Sequence, residues 1–418
     1  MRIRDVRTVL LTGPATDDPF LQACRERRSA AFVEIYADGL DVGVGETYAG
    51  YFFPEGIAEI VEFFRPVLIG QSVDDADAID RLWQRMYHCG NFWCRVGLGL
   101  SVLNGIEAAL WDMLGKRLNL PVCQLLGGPR HERLPAYASG GPSNYPLSTL
   151  AKKVEYYLSL GFNGVKLAAG AFTRDESFTI SAAPQEAADL EAEKLRFLRD
   201  RFGNSLQLML DGHMGNSPSQ TWDLAAAQAV LRAVEPFDLL FFEEPLHYTE
   251  PGSYAELCRT SNVPIAGGEC LTGVAEWQTF IQRDCFDVGQ PDASYTGGLT
   301  TFMEVAQMLA DRGKRVATHS WGAGGSLMQN VHCGFAAANT MILEIPPDFG
   351  PLHRELLGDS FQMHDGHVMP PTAPGLGVVL TDEIKARFPF QPGSGEFNSV
   401  PGKVMPEEIG GEHDASPY

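Results

Sequence analysis

The chain has 418 residues, with 32 basic against 53 acidic side chains and a net charge of −21. That balance excludes nucleic acid and anionic membrane surfaces as partners, since both are polyanions, and it means that an anionic substrate needs a local cation to hold it. Apolar content of 44% and charged content of 20% describe a globular chain able to bury a large core, with room for two or three domains or one barrel plus a module.

In chain order, the opening MRIRDVRTVLLTG has too short an apolar run for a signal peptide and reads as a strand. Residues 2–12 and 31–47 form a small antiparallel sheet, because AFVEIYADGLDVGVGET carries two alternating runs around ADGLD. TGPATDDPFLQACRERRSA and GETYAGYFFPEG are loops. From about 55 to 120, apolar residues recur three and four apart, as in IAEIVEFFRPVLIG, DDADAIDRLWQRMYH and SVLNGIEAALWDMLGKRL, which predicts helices. Residues 1–130 therefore read as an α+β domain.

From about 133 the texture becomes short apolar strands alternating with helical runs. Eight strands are predicted: 134–139, 164–168, 206–211, 239–244, 264–269, 287–292, 315–320 and 341–345. Eight βα units are the count of a (β/α)8 barrel, over 131–360. No glycine-rich dinucleotide fingerprint follows the first strand, which argues against a doubly wound sheet. The tail, 361–418, rich in Gly and Pro, is expected to lie back on the first domain. No window approaches the roughly 18 apolar residues of a membrane span. The eight cysteines are scattered without a CxxC pair, and Cys89 and Cys94 lack a second pair to complete a zinc site, so free thiols in a reducing cytoplasm are expected.

The predicted strands end on polar residues: Lys166, Asp211 with His213 two positions on, Glu243 and Glu244, Glu269, Asp292, His319 and Glu344. From Asp211 onward these recur at intervals of one βα unit, so a barrel would gather them at one mouth, where barrel enzymes place their chemistry. A single Asp after a strand is usually a turn former or helix cap; six successive strands ending on Asp, Glu or His are not explained that way. Asp211, Glu243 and Glu269 on adjacent strands would repel unless a cation neutralised them, and all-oxygen ligands suit Mg2+. Three protein ligands leave octahedral positions for a substrate carboxylate, on which the ion would act as a Lewis acid. Asp292 beside His319 would fix the imidazole tautomer and make a general base. Lys166 would stabilise developing negative charge, or move a proton if its pKa is lowered. His213 would face the mouth as a general acid, and a protonated Glu344 would hydrogen-bond the substrate carboxylate.

These residues, with the segments GLSVLNGIEAALWDMLGKRLNLPVCQLLGG, GVKLA, LMLDGH, FFEEP, PIAGGE, QPDASYTGG, THSWG and PGLGVVL, resemble the enolase superfamily, specifically its mandelate racemase/muconate lactonizing enzyme-like branch. The resemblance covers nearly the whole chain. It implies a capping domain on a modified TIM barrel, Mg2+ on Asp211, Glu243 and Glu269, an Asp292–His319 dyad, and Glu344 on the substrate carboxylate. Glu243 is chosen over Glu244 as the first residue of the E-x-P pattern. The implied chemistry is abstraction of the proton α to a carboxylate to give an enediolate. Where relatives that racemise or cycloisomerise often carry Lys-x-Lys, this chain has Lys166-Leu167-Ala168, whereas Asp211-Gly212-His213 resembles the Asp-x-His of acid-sugar dehydratases. The implied activity is dehydration of an aldonic or aldaric acid to a 2-keto-3-deoxy acid, with His319 as base and His213 as acid; the alternative is a racemase, epimerase or cycloisomerase in the same site. A homo-oligomer is expected from the family. Specificity is expected from loops 13–29 and 46–56 and from Asn91 to Arg95, with Arg25, Arg27, Arg28, Tyr48, Tyr51 and Trp321 as candidates to bind the substrate, and segment 170–187 as a further wall.

Overall fold

A computed structural model describes residues 1–21, 27–39, 42–140, 146–172, 178–179, 183–215 and 222–394. The chain opens with an antiparallel sheet of β1 (Ile3–Gly13), β2 (Arg28–Ala37) and β3 (Gly43–Thr47), in that order. The register Phe32↔Glu46 and Val33↔Gly45 is the hairpin expected around ADGLD. A short 3₁₀ turn, Tyr48–Tyr51, leads to three helices: α1 (Ile57–Leu68), α2 (Ala76–Gly90) and α3 (Gly97–Leu118). α2 starts on Asp75, whose side chain accepts the Ala78 N–H as an N-cap. α3 is buried all round from Gly99 to Gly115, because it lies between the cap sheet and the barrel. Its buried Glu107 accepts the backbone N–H of Leu299 (2.6 Å) and Thr300 (3.1 Å) on the barrel side, and its buried Asp112 accepts those of Val44 (2.7 Å) and Leu376 (2.7 Å). Charged groups so deeply buried persist because their oxygens are hydrogen-bonded; here those bonds bolt the two layers together.

A short α4 (Val122–Leu125) leads into eight parallel strands: β4 (Leu134–Ser139), β5 (Gly164–Ala168), β6 (Gln207–Asp211), β7 (Phe242–Glu243), β8 (Ile265–Gly267), β9 (Val288–Gly289), β10 (Arg315–Ala317) and β11 (Thr340–Ile345). Each pairs with the next in parallel, and β11 pairs back onto β4 through Leu343↔Ala136 and Glu344↔Tyr137, so the sheet closes into a barrel. Several strands are shorter than the sequence pattern suggests. Those chain ends leave the ladder just before the site residue, so Glu244, Glu269, Asp292 and His319 sit on the first residues of the strand-to-helix loops. The helices between strands include α5 (Leu147–Ser159), α6 (Pro184–Phe202), α7 (Leu224–Val234), α8 (Pro251–Thr260), α9 (Gly273–Gln282), α10 (Leu299–Ala310) and α11 (Gly324–Ala336). Part of segment 170–187 forms a small ribbon pairing Ala171↔Thr179 and Phe172↔Phe178; residues 173–177 and 180–182 lie outside the described residues.

Inside the barrel, Tyr137, Met209, Phe241, Ala266, Val288, Ala317 and Ile342 form a separate apolar cluster, one residue from each of seven strand segments. It is a packed layer of the kind that makes such barrels solid. After the barrel, α12 (Pro351–Leu357) and a hairpin of β12 (Met363–His364) and β13 (His367–Val368) follow, the latter antiparallel to β4. Further on, Pro389 bridges to Leu11 and Gly375 to Pro121, which brings the tail against cap strand β1 and the α3–α4 turn. No described helix is long and apolar enough to cross a membrane.

Candidate active site

The apolar layer sets the phase of everything above it. Side chains of a strand alternate between its faces, so the residue two past an inward apolar one also points inward. Met209 is followed at that spacing by Asp211, Phe241 by Glu243, Ala317 by His319 and Ile342 by Glu344. This is the physical reason that Glu243 enters the barrel and Glu244 does not share its direction. Glu244 has φ 41°, and its Oε1 accepts the Tyr248 hydroxyl at 2.8 Å. Glu269 follows Ala266 by three residues, and Gly268 (φ 109°) absorbs the change of phase.

Lys166 sits over the layer, 5.8 Å from the Tyr137 ring centre, and its Nζ meets three carboxylates: Glu243 Oε2 (2.8 Å), Glu344 Oε1 (3.0 Å) and Asp211 Oδ2 (3.1 Å). Burial alone would lower the lysine pKa, but Glu243 and Glu344 outweigh it and hold the pKa well above its ordinary value. Of the two roles expected for Lys166, the fixed positive charge fits these surroundings and the proton carrier with lowered pKa does not. The protonated Glu344 expected from the sequence is also disfavoured. Burial opposes its ionisation, but Lys166 and then His319 more than offset that and take its pKa down to about 2. Its Oε2 accepts the Ser320 N–H at 2.6 Å.

One ammonium does not balance this cluster. Burial, and then the charge of Asp211, push the Glu243 pKa well up; burial and then Glu269 do the same to Glu244. Glu243 Oε1 and Glu244 Oε2 are buried with no hydrogen-bond donor. Asp211 Oδ2 lies 3.1 Å from both Lys166 Nζ and His213 Nε2, outside hydrogen-bonding geometry. Oxygens of Glu244 and Glu269 and the Cys270 sulfur come within 4.8 Å of one another; of the three expected ligands only Glu269 is in this group, while Asp211 and Glu243 gather on Lys166. Buried anionic oxygens without donors, on adjacent strands, suit a hard divalent cation.

The other half of the mouth is built differently. His319 Nδ1 lies 2.8 Å from Asp292 Oδ2, and its Nε2 lies 3.5 Å from Glu269 Oε2. Asp292 Oδ1 accepts three further bonds, from the Ser294 N–H (2.8 Å), the Ser294 hydroxyl (2.6 Å) and Asn330 Nδ2 (2.8 Å). The carboxylate is thereby locked; in the neutral imidazole the proton sits on Nδ1, toward Asp292, and Nε2 then turns its lone pair to the mouth. Burial would lower the His319 pKa, but Glu269, Glu344 and Asp292 raise it to about 10. His213, with φ 48°, is fixed by Asp211 through its backbone N–H (2.9 Å to Oδ1). Its side chain is 31% exposed, against 7% for Lys166 and 8% for His319, so it is the group most open to an incoming ligand.

The cap reaches this mouth. The Tyr48 ring stands edge-on to His319 at 5.6 Å and to Tyr295 at 5.9 Å, and the Tyr48 N–H bonds to Ser294 O. Tyr51 donates its hydroxyl to Trp321 O (2.7 Å), and the buried Arg28 bonds to the same oxygen while stacking on both rings. Arg28 and Tyr51, expected as substrate contacts, thus hold the loop after His319 instead, and Trp321 is held there through its backbone. Arg27 is exposed, and Arg25 lies outside the described residues. The turn at Asn91–Arg95 leads to Gly97, whose N–H bonds to Thr272 Oγ1 at the start of α9. Sequence reading missed Ser294, Asn330, Tyr137 and Cys270. Ser294, two residues past Asp292, carried the pattern of an acidic turn, and Asn330 was one of several polar residues, with Ser326, Gln329 and His332, in the buried helix α11.

Two family models match the chain: the Mandelate racemase / muconate lactonizing enzyme N-terminal domain over residues 6–127, and the Enolase C-terminal domain-like model over 149–384. The chain belongs to this branch of the enolase superfamily and is an enzyme of that superfamily. Among its relatives, it is 27% identical over 390 residues to arabinonate dehydratase of Saccharolobus solfataricus, covering 91% of this chain and 98% of that enzyme. It is 29% identical over 404 residues to D-galactarolactone cycloisomerase of Agrobacterium fabrum, covering 93% and 99%. The solved L-talarate dehydratase of Polaromonas sp. JS666, complexed with Mg and L-glucarate, superposes with a TM-score of 0.76 at 27% identity, covering 93% and 98%.

Proposed function

We propose that the protein is a Mg2+-dependent dehydratase of an aldonic or aldaric acid, acting in the cytoplasm and giving a 2-keto-3-deoxy acid. The observation that carries this reading is the placement of two histidines on opposite strands of the ring. His319 follows the seventh strand, β10, and His213 the third, β6, so a ligand in the mouth lies between them. Asp211, Glu243 and Glu269 would hold the ion, with Glu244 beside them. When bound, Mg2+ would polarise the substrate carboxylate and offset the negative charge that holds the His319 pKa up.

His319 Nε2 takes the proton from the carbon α to the carboxylate, while Asp292 keeps Nδ1–H in place and stabilises the imidazolium. Lys166 keeps its positive charge beside the developing enediolate. His213 gives a proton to the β-hydroxyl, which leaves as water, and the resulting enol becomes the 2-keto-3-deoxy acid. Ala168 has no proton to offer, so the two-lysine arrangement of a racemase is absent at this strand. A cycloisomerase is the second reading, supported by the Agrobacterium fabrum relative. The test is proton NMR in D2O with Mg2+ and a panel of aldonic and aldaric acids and their lactones, read alongside product mass. Loss of the α signal, gain of a deuterated C3 methylene and loss of one water support dehydration. Exchange of the α proton, or a rearranged product, with mass retained apart from deuterium, would replace it with the isomerase reading.

A further inference from the structure

The dyad is not held by the barrel alone. Glu46, on cap strand β3, is fully buried at the N-terminal end of α11, the helix that follows His319 by a short loop. Its Oε1 accepts the Ala323 N–H at 2.8 Å and its Oε2 the Ser326 N–H at 2.7 Å. Its own backbone N–H donates to Gln329 Oε1 at 2.8 Å, one turn further along the same helix. The fit is close: a Cβ at Gly325 would lie 2.8 Å from Glu46 Cβ and 3.0 Å from Oε2, so only glycine admits the carboxylate there.

From Ser326 the contacts continue inward. The Ser326 hydroxyl meets that of Ser294 at 2.7 Å, Ser294 donates to Asp292 Oδ1 at 2.6 Å, and Asp292 Oδ2 holds His319 Nδ1 at 2.8 Å. Asn330, on the next turn of α11, donates to Asp292 Oδ1 alongside Ser294. On the loop between His319 and α11, Arg28 and Tyr51 of the cap grip Trp321 O.

We propose that Glu46 is a positioning residue for the reaction, setting the seat of α11 and, through Ser326 and Ser294, the orientation of Asp292 and the His319 base. The cap is thus part of the proton-transfer apparatus as well as a cover. A misplacement of a reacting group by a fraction of an ångström is costly to the chemical step and nearly neutral for binding. The proposal rests on His319 being the base.

Glu46→Gln leaves one oxygen and sets an amide against one of the two N–H donors. Expected is a folded protein whose kcat falls on the order of 10-fold to 100-fold with KM within about threefold, and with an increased isotope effect for α-deuterated substrate, because proton abstraction becomes more rate-limiting. Ser294→Ala, which removes the inner link without touching the cap, should show the same split and decides the matter where Glu46→Gln does not fold. A merely structural Glu46 would lower the melting temperature and leave kcat, KM and the isotope effect of the folded fraction unchanged; that result in either variant overturns the proposal. His319→Asn, assayed alongside, separates the two readings: if it retains full activity, the base assignment itself fails, whatever Glu46→Gln does.

Discussion

The two halves of the mouth solve opposite problems. On β5 to β8, Lys166, Asp211, Glu243 and Glu269, with Glu244, gather more negative charge than one ammonium can balance, and buried oxygens are left without donors. On β9 to β11 and α11, Asp292 and Glu344 have their donors supplied by Ser294, Asn330, Ser320 and His319. On the reading proposed above, the first half receives a cation. In the second, Asp292 finds its donors in Ser294, Asn330 and His319, so the imidazole is oriented before any ligand arrives, while Glu344 also leans on Lys166 of the first half. One half therefore gains stability from a ligand, and the other from the protein's own hydrogen bonds.

Breaking the second half should have the largest effect. His319→Asn should lower α-proton exchange on the order of 10²-fold to 10⁴-fold, the usual worth of a general base, while Mg2+ binding by calorimetry persists. Exchange at the native rate would remove His319 from the mechanism. In the first half, Asp211→Asn should weaken Mg2+ on the order of 100-fold, given that even outer partners of a metal site are worth about 10–100-fold, and should abolish the Mg2+-induced rise in melting temperature. His213→Asn stands at the border. It should cut water elimination on the order of 100-fold while α-proton exchange continues, an NMR outcome that isolates the acid step; equal losses of both would tie His213 to the base.

Stability of the metal-free protein sharpens the contrast further. Glu244→Gln removes a buried charge whose pKa is already pushed up, so it should raise the melting temperature. Asp292→Asn disturbs a carboxylate with four donors and should cost about 1–3 kcal/mol. Shifts of the same sign in thermal denaturation would undo the distinction drawn between the halves.

A further effect concerns acid. His332 on α11 accepts the Cys123 N–H at Nδ1, and His353 Nε2 bonds to Gly322 O in the loop after His319. Burial takes their pKa values down to about 4 and about 3. Unfolded imidazoles gain a proton near pH 6.5 and these do not, so stability present above that pH is lost as the pH falls toward 4 and 3. The slope is at most about 1.4 kcal/mol per pH unit for each histidine. Hydrogen exchange between pH 6.5 and 4.5 should show α11 loosening ahead of the cap sheet, and a uniform response would contradict it.

Much of this was legible in the sequence because a strand repeats every two residues and a βα unit every twenty-odd. Those two periods carry Asp211, Glu243, Asp292, His319 and Glu344 to one end of one barrel. What they do not carry is pairing across the ring. The charge state of Glu344 depends on Lys166, two strands away around the closure, and no local pattern encodes it. Arg28 offered a cation for substrate and proved to be occupied by Trp321 O, a partner 293 positions along the chain. Glu46 opens the segment 46–56 read as a specificity loop, and nothing local marks it as buried; the docking of α11 buries it.

The apolar layer beneath Lys166 has a consequence for traffic. With Tyr137, Met209, Phe241 and their neighbours 3% exposed or less, nothing polar passes through the barrel axis. Whatever reaches the mouth, whether solvent or substrate, must come from the end of the barrel at which His213 and His319 stand. Substrate and product therefore share that end of the barrel, so the order in which molecules leave constrains the order in which the next can enter.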